Sequence, residues 1–294
     1  MTLAAVAQLT SSGLIAENLS TCISLIRRAS SAGAKAIFLP EATDFIAPAA
    51  SVAALTRSAE ARDFVQGIRD AAKSAGIWVS VGIHEDPSGG SSSSSPSSTA
   101  NGKGQERCYN TQLLVDERGE VRARYRKTHL FDVDIKGGLT ILESNTTVPG
   151  EELLDPINTP LGNVGLLTCY DLRFAEPALA LRARGAHVIT YPSAFTVRTG
   201  AAHWEVLLRA RAIETQSWVL AAAQVGAHAG TARVSWGHAM IVDPYGSVVA
   251  QTSDMQPYKP TFCLADIDLD SLENVRREMP LWDQRRTDLY PRIP

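Results

Sequence analysis

The sequence predicts an α/β protein built as a four-layer α-β-β-α sandwich, in which helices cover two sheets stacked face to face. Segments with strand and helix periodicity alternate along most of the 294 residues, which is typical of sheets covered by helices. In addition, "GAKAIFLPEATDF" (33–45) and "GAHVITYPSAFTV" (185–197) share one plan: helix end, Gly-Ala, strand, Pro and polar residues. Two related α-β layers of this kind would pack their sheets against each other.

Composition narrows the class of protein. Residues 1–294 are enough to bury one large core, and 45% hydrophobic with 20% charged residues is ordinary globular usage, so we expect a single domain. The net charge of −3 comes from both signs, without the basic stripe that a nucleic-acid partner needs. Nucleic acid is therefore excluded as a partner.

Cysteine usage and the first residues indicate a cellular location. The four cysteines lie far apart and form no zinc-type cluster, which favours a reducing compartment. "MTLAAVAQL" has strand periodicity from Leu3 instead of the regions of a signal peptide, and no apolar run approaches the roughly 20 residues that span a membrane. We expect a cytoplasmic protein without a membrane segment, and a mitochondrial form from an upstream start stays open.

The first half of the chain predicts alternating strands and helices. After the first strand, apolar residues from Leu19 to Ile26 recur at helical spacing, and Gly33 ends that helix. "AKAIFLPE" is a short buried strand, and a helix follows over about 58–75 and stops at Gly76. "IWVSVGIHE" then alternates with the period of a strand.

The segment 89–105, "GGSSSSSPSSTANGKGQ", is rich in Ser and Gly and cannot bury enough apolar surface to offset its ordering entropy. We expect a flexible loop here. The strand before it and the pair "NTQLLVD" and "VRARYRKTHLF" after it are typical of neighbours in one sheet. The loop is therefore a long connection and no domain boundary.

The second half repeats the alternation. "NVGLLTC" and "AHVITYPSAF" are predicted strands, each followed by a helix, over about 175–184 and 202–215, and "SWVLAAAQ" is the next strand. A hairpin of "GHAMIVD" and "SVVAQ" around the turn "PYG", a strand "TFCLADIDL" and a short helix near 271–278 follow.

Three predicted strands end in residues that could form an acyl-transfer site. Glu41 follows "AIFLP", Lys127 follows "VRARYR" and Cys169 follows "VGLLT", and ligands of open α/β sheets bind outside such carboxyl ends. A cation or a helix N-terminus near a thiol lowers its pKa and favours the nucleophilic thiolate. Glu41 could take the thiol proton and return it to a leaving amine. Lys127, with the backbone N–H of Tyr170, could hold the negative oxygen of a tetrahedral intermediate.

Each of these residues taken alone has a structural alternative. A cysteine in an apolar strand is commonly a small core residue. Glu41 could occupy a turn or helix cap, and Lys127 in "RYRKTH" could be one of several solvated charges. Their joint presence at strand ends of one chain favours chemistry.

Three segments carry a family resemblance. "LPEA" (39–42), "RKTHLFD" (126–132) and "CYDLRF" (169–174) resemble the signature segments of the nitrilase superfamily of C–N hydrolases. The resemblance extends through "ESN", "YPSAF", "GHAMIVDPYG" and "MPLWDQRRTDLY", nearly the whole chain outside the Ser-rich loop. It implies an α-β-β-α sandwich, a Glu-Lys-Cys triad and a thioester acyl-enzyme, with no metal and no cofactor.

Carried onto matching positions, the resemblance implies that Glu41 is the general base, Lys127 the stabilising cation and Cys169 the nucleophile. Glu143, in the segment "ILES", matches the second glutamate that family members place near the lysine. We further expect Glu205 to support the lysine indirectly.

Within the superfamily the chain resembles the eukaryotic Nit branch, and there the amidases that split deaminated glutathione into 2-oxoglutarate and cysteinylglycine. The substrate would be a small amide with an α-keto carboxylate, for which Arg173 offers a planar bidentate partner. Tyr170, Phe195 and Thr199 are the other predicted substrate-binding residues. A surface ion pair is the alternative for Arg173, and a helix N-cap is the alternative for Thr199.

Other residues of these segments have structural interpretations. We expect His203 and Trp204 to belong to a buried network, and His129 to be structural because the triad already contains a base. The tail 279–294, rich in Pro, Arg and aromatic residues, resembles tails that pack across a two-fold interface, which predicts a homodimer. A tail folded onto its own subunit is the alternative.

Two other functions stay open. An ω-amidase acting on 2-oxoglutaramate shares the keto-acid half of the substrate, and true nitrilases and carbamoylases come after it. A different class is a catalytically silent scaffold that binds metabolites or partner proteins on the same fold. The presence of all three triad residue types argues against the scaffold.

Overall fold

The structure is a computed structural model that describes residues 2–89, 106–134 and 140–290. The predicted Ser/Gly-rich loop at 89–105 lies outside the described residues from residue 90 onward, as do the last four residues of the predicted tail. The strands are, in chain order, β1 (Leu3–Leu9), β2 (Ala36–Phe38), β3 (Trp78–Glu85), β4 (Cys108–Val115), β5 (Val121–Arg126), β6 (Asp132–Asp134), β7 (Thr140–Leu142), β8 (Thr147–Val148), β9 (Ile157–Thr159), β10 (Gly162–Leu166), β11 (Val188–Thr190), β12 (Trp218–Ala221), β13 (Ala223–Ala227), β14 (Val234–Trp236), β15 (Met240–Val242), β16 (Val248–Gln251) and β17 (Thr261–Asp266).

These strands form two large sheets and one small hairpin. The first sheet has the order β14-β13-β1-β2-β3-β4-β5, with β17 paired to β1 and β8 to β4. The second has the order β16-β15-β12-β11-β10-β9, and β6 pairs with β7. The repeated segments of the sequence supply β2 and β11, each the middle of three parallel strands in its sheet. The strands on either side of the Ser/Gly-rich segment, β3 and β4, are antiparallel neighbours, as predicted.

The helices are α1 (Ile15–Ser31), α2 (Ala49–Thr56), α3 (Ala59–Ala75), α4 (Ala175–Ala183), α5 (Val197–Thr215) and α6 (Leu269–Glu278). The predicted helices are confirmed, and α2 is an addition to them. α5 begins five residues before its predicted start because Thr196 caps it and accepts the N–H of Thr199. Among the described residues, no helix has the length and apolar character needed to cross a membrane.

The alternation of side chains along β1 explains the layers. Ala5 and Ala7 belong to a core shared with α1 and α3, whereas Ala4 and Val6 belong to a core shared with the second sheet. Residues of α4 and α5 pack into this second core. The result is the predicted α-β-β-α sandwich.

The sandwich brings three strand ends to one edge. β2 and β5 run in the same direction in the first sheet, and Glu41 and Lys127 follow them closely. β10 of the second sheet leads to Cys169. Gly82 of β3 permits this approach, since a Cβ there would lie 2.6 Å from both the Glu41 Cα and the Pro40 carbonyl oxygen.

Gly82→Ala is expected to lower the free energy of unfolding by about 1–3 kcal/mol, because the new methyl group meets backbone that cannot move aside cheaply. Gly13→Ala is the matched control: its nearest neighbour would be the Ala47 Cβ at 3.8 Å, and we expect a change within about 0.5 kcal/mol. Urea unfolding of the two variants measures the difference. Equal stability of both would contradict the close approach at Gly82.

Candidate active site

A cavity of about 400 Å³ opens where the strand ends meet. All eight residues that the sequence predicts for catalysis or substrate binding line it: Glu41, Lys127, Glu143, Cys169, Tyr170, Arg173, Phe195 and Thr199. Glu205, which was expected to support Lys127 indirectly, does not line it. Residues from both sheets therefore contribute to one site.

Lys127 is the buried centre of the site. Its Nζ donates to Glu41 Oε1 at 2.9 Å and to the two carboxylate oxygens of Glu143 at 3.0 and 2.8 Å. Burial alone would lower the pKa of this ammonium, but the two carboxylates raise it well above its usual value. Lys127 is therefore a permanent cation.

Glu41 is fixed at each of its carboxylate oxygens. Oε1 accepts from Lys127 and from Asn110 Nδ2 at 2.8 Å, and Oε2 accepts the backbone N–H of Ala194 at 2.9 Å. Burial would raise the pKa of this carboxyl group, but the cations of Lys127 and Arg233 and its hydrogen bonds hold it well below its usual value. Glu41 is thus ionised at neutral pH and able to accept a proton.

Glu143 completes the charge arrangement. It begins a 3-10 turn after β7, and its Oε2 accepts the N–H of Phe131 at 2.6 Å. Asn110 Nδ2 donates to Glu143 Oε1 at 3.1 Å as well as to Glu41, so one amide group bridges the two glutamates. The two carboxylates and one ammonium lie in a single hydrogen-bonded cluster.

Cys169 occupies a sharp turn between β10 and a 3-10 helix, Cys169–Arg173. Its φ of 48° is in the left-handed region, which costs a non-glycine residue about 1 kcal/mol or more. Its N–H donates to the Pro192 carbonyl at 3.1 Å. A capping box formed by Thr168 and Asp171 holds the start of the 3-10 helix. The turn presents the thiol to the cavity.

The thiol of Cys169 has a raised pKa. Burial is the main cause, the charge of Glu41 adds to it, and Lys127 opposes it. Lys127 lowers this pKa, as expected of a nearby cation, but burial and the charge of Glu41 outweigh its effect. A thiol hydrogen-bonded to an ionised glutamate can become a thiolate by passing its proton to that glutamate.

Asp171 stabilises the turn that contains Cys169. Its fully buried carboxylate accepts hydrogen bonds from the Tyr125 hydroxyl at 2.7 Å, the Thr168 N–H at 2.9 Å and the His129 N–H at 3.1 Å. The ring of His129 lies 2.7 Å from the same carboxylate and stacks on Phe174, so a structural role for His129 fits the geometry.

Arg173 lines the cavity, and its guanidinium has hydrogen-bonding capacity left to bind an anion. Its guanidinium carbon is 5.2 Å from the centroid of the Phe195 ring, and Nη1 contacts His203. Its Nε is buried without a hydrogen-bond partner, and it forms no ion pair with any carboxylate of the described residues. The surface ion pair considered for Arg173 is therefore wrong.

The remaining predicted substrate-binding residues form the wall beside it. The ring of Tyr170 packs edge-on against Phe131 at 5.0 Å. The Thr199 hydroxyl lies 2.8 Å from the Thr196 hydroxyl, and Thr196 is the residue that caps α5. The alternative that Thr199 is the N-cap is therefore wrong.

Two expectations about α5 need correction. Glu205 is exposed and pairs with Arg209 at 3.4 Å, so it does not support Lys127. His203 is exposed and contacts Arg173 instead of joining a buried network, whereas Trp204 is buried and its Nε1 donates to the His238 carbonyl at 2.8 Å. The reason is the orientation of α5: Trp204 faces the core, whereas the residues on either side of it, His203 and Glu205, face solvent.

The cavity lining includes charged and polar residues that sequence reasoning missed, among them Asn110, His84 and Arg233. Asn110 and His84 are opposite each other on β4 and β3, and His84 Nδ1 pairs with Asp44 at 2.9 Å. A polar residue at the start of a buried strand is the only local signal for Asn110. The position of Arg233 depends on tertiary neighbours alone. Among the described residues no group of metal-ligating side chains is placed to hold an ion.

The sequence model of the carbon-nitrogen hydrolase family matches residues 3–277. The chain therefore belongs to this family, the nitrilase superfamily expected from its three signature segments, and is a hydrolase of amide C–N bonds.

Particular relatives refine the class. The "Probable hydrolase nit2" of Schizosaccharomyces pombe is 49% identical over 295 residues, covering 100% of each chain. The human "Deaminated glutathione amidase" is 45% identical over 294 residues, covering 98% of this chain and 83% of the human one. The crystal structure of the C. elegans NitFhit protein superposes with a TM-score of 0.87 at 40% identity, over 98% of this chain and 66% of that one.

Glu143→Gln is expected to reduce kcat for amide hydrolysis at least tenfold, because it removes one of two charges that hold the Lys127 ammonium in place. Glu205→Gln is the matched control and should keep the wild-type rate, since Glu205 pairs with Arg209 on the exposed face of α5. Steady-state kinetics with circular dichroism to verify folding gives the answer. Comparable losses of kcat in the two variants would mean that Glu205 also supports the active site.

The depressed pKa of Glu41 predicts the sign of a pH effect on stability. Unfolded glutamate has a pKa of about 4.3, so on acidification the unfolded chain binds this proton before the folded chain does. The stability from Glu41 is thus present above about pH 4.3 and declines as pH falls toward the folded pKa. Urea unfolding should show wild type and Glu41→Gln converging from pH 7 to pH 3. A difference in unfolding free energy that grows as the pH falls would contradict the lowered pKa of Glu41.

Proposed function

We propose that this chain is an amidase that hydrolyses deaminated glutathione to 2-oxoglutarate and cysteinylglycine through a thioester on Cys169. The observation that carries the proposal is the cluster of Glu41, Lys127 and Cys169 in one cavity with Arg173. The relatives named for this activity, at 45% identity over 98% of the chain, support the substrate.

Arg173 is proposed to bind the α-keto carboxylate. Its partly buried guanidinium has a free Nε and lies over Phe195, so a planar carboxylate would gain a charge-assisted hydrogen bond there. Tyr170, Phe195 and Thr199 would enclose the keto-acid chain from the sides, since they line the same wall. A substrate bound in this way would present its amide carbonyl to the Cys169 thiol, which lines the same cavity.

In the first half of the reaction, Glu41 takes the proton of the Cys169 thiol as the sulfur attacks the amide carbon. Lys127 Nζ and the N–H of Tyr170 hold the negative oxygen of the tetrahedral intermediate, a contribution of a few kcal/mol from each donor. When the C–N bond breaks, Glu41 gives its proton to the leaving amine. Cysteinylglycine departs and the 2-oxoglutaryl group stays on sulfur as a thioester.

In the second half, water attacks the thioester. Glu41 accepts a proton from that water, the same two donors hold the second oxyanion, and the proton passes to the departing sulfur. The products are 2-oxoglutarate and the free thiol. The net reaction consumes one amide and one water, and it uses no metal or cofactor.

Two alternatives make different predictions. An ω-amidase would use the same steps on 2-oxoglutaramate and release ammonia. A silent scaffold would bind metabolites without turnover, yet the ionised base next to the thiol favours catalysis.

We also propose that residues 1–294 form a single domain and that two copies associate in the cytoplasm. The tail partly contacts its own subunit, since Trp282 lies 5.2 Å from the Arg182 guanidinium. Leu289 and Tyr290, further along, are exposed and support a partner surface. The four free cysteines suit a reducing compartment. A monomer mass in solution scattering would overturn the dimer.

The proposed substrate is tested by comparing kcat/KM for deaminated glutathione and for 2-oxoglutaramate through the release of 2-oxoglutarate. We expect deaminated glutathione to be preferred by orders of magnitude, and Cys169→Ala to abolish both activities while keeping the fold. A preference for 2-oxoglutaramate would make the protein an ω-amidase. Absence of turnover on either amide would favour the scaffold.

A further inference from the structure

A second arginine lines the active-site cavity, and the mechanism above does not use it as a ligand. Arg233 lies directly before β14, and its side chain is exposed. Within the described part of the chain its guanidinium forms no direct ion pair with a carboxylate. A cation in this state can bind an anionic group of the substrate.

Hydrogen bonds place Arg233 beside the general base. Arg233 Nη2 donates to the Ala194 carbonyl at 2.9 Å, and the N–H of the same alanine donates to Glu41 Oε2 at 2.9 Å. Standard bond lengths then put the guanidinium donor within roughly 10 Å of the Glu41 carboxylate. Both groups line the cavity, as does Arg173, whose guanidinium contacts the Phe195 ring instead of the Ala194 backbone.

The backbone that carries Arg233 is held firmly. The His228 N–H donates to the Arg233 carbonyl at 3.0 Å, which closes a short loop. The buried ring of His228 in turn contacts the Ser11 carbonyl and the Ser235 hydroxyl, each at 2.8 Å. Because the backbone is already fixed, binding of a ligand would have to order only the side chain of Arg233.

The chemistry of the leaving group matches this position. Glu41 must reach the leaving amine to protonate it, so the amine half of the substrate lies on the side of Glu41. Cysteinylglycine carries a carboxylate at its far end, and two extended residues span about 7 Å. That carboxylate would come within reach of the Arg233 guanidinium.

We propose that Arg233 is a specificity-determining residue that binds the terminal carboxylate of the leaving group. This inference rests on the proposed function. With Arg173 at the keto-acid end, the cavity selects amides that carry a carboxylate at each end. 2-Oxoglutaramate releases ammonia and offers Arg233 nothing to bind.

The test compares three substrates: deaminated glutathione, its C-terminal carboxamide and 2-oxoglutaramate. Wild type should prefer the acid over the carboxamide by about tenfold, as expected for one partly exposed charge-assisted pair. Arg233→Met should abolish this preference, lowering kcat/KM for deaminated glutathione about tenfold more than for the other two substrates; the loss of its charge near Glu41 affects all three substrates alike. Arg233→Lys should recover part of the preference. Arg198→Met, which removes an exposed arginine outside the cavity lining, should behave as wild type.

Three outcomes would overturn the proposal. An equal loss on all three substrates would mean that Arg233 acts through Glu41 or Ala194. An unchanged preference in Arg233→Met would mean that it binds no carboxylate. A wild-type enzyme that hydrolyses 2-oxoglutaramate but not deaminated glutathione would overturn the proposed function and this subsite together. Since wild type alone identifies the last case, the two failures are distinguishable.

Discussion

The buried ammonium of Lys127 is the interaction on which the site depends. An ion removed from water costs several kcal/mol unless it is paired and hydrogen-bonded, and Lys127 is almost completely buried. Glu41 and Glu143 pair with it, and Asn110 links the two carboxylates. Each carboxylate in turn needs the cation, because two glutamates this close would otherwise share a proton. The same contacts therefore stabilise the fold and keep Glu41 ionised beside the thiol.

The sandwich supplies these groups from separate layers. The first sheet contributes Glu41 after β2, Asn110 in β4 and Lys127 after β5, while the second sheet contributes Cys169 after β10. The core between the sheets fixes their distance, and a hydrogen bond from the Ala194 backbone to Glu41 connects the second layer directly to the base. A nucleophile and a base on different sheets meet only when both sheets are packed, so the site forms only in the folded chain.

Local sequence patterns predicted the parts of the structure that depend on local physics. A buried strand followed by one polar residue located Glu41, Lys127 and Cys169, and periodicity located most helices. The directions of the side chains on α5 could not be predicted from the sequence, because they depend on where the helix begins, at Val197, and on how Trp204 packs. Glu205 was misassigned for that reason. The neighbours of Arg233 and the balance of charges around the Cys169 thiol arise from residues far apart in sequence.

The central claim is that the sulfur of Cys169 becomes acylated during amide hydrolysis. Rapid acid quenching at saturating deaminated glutathione, followed by peptide mass spectrometry, tests this claim most directly. The account predicts a 2-oxoglutaryl group on the peptide that carries Cys169 and on none of the other cysteine peptides. Rapid product formation without any added mass on that peptide, or the group on Cys22, Cys108 or Cys263, would contradict it.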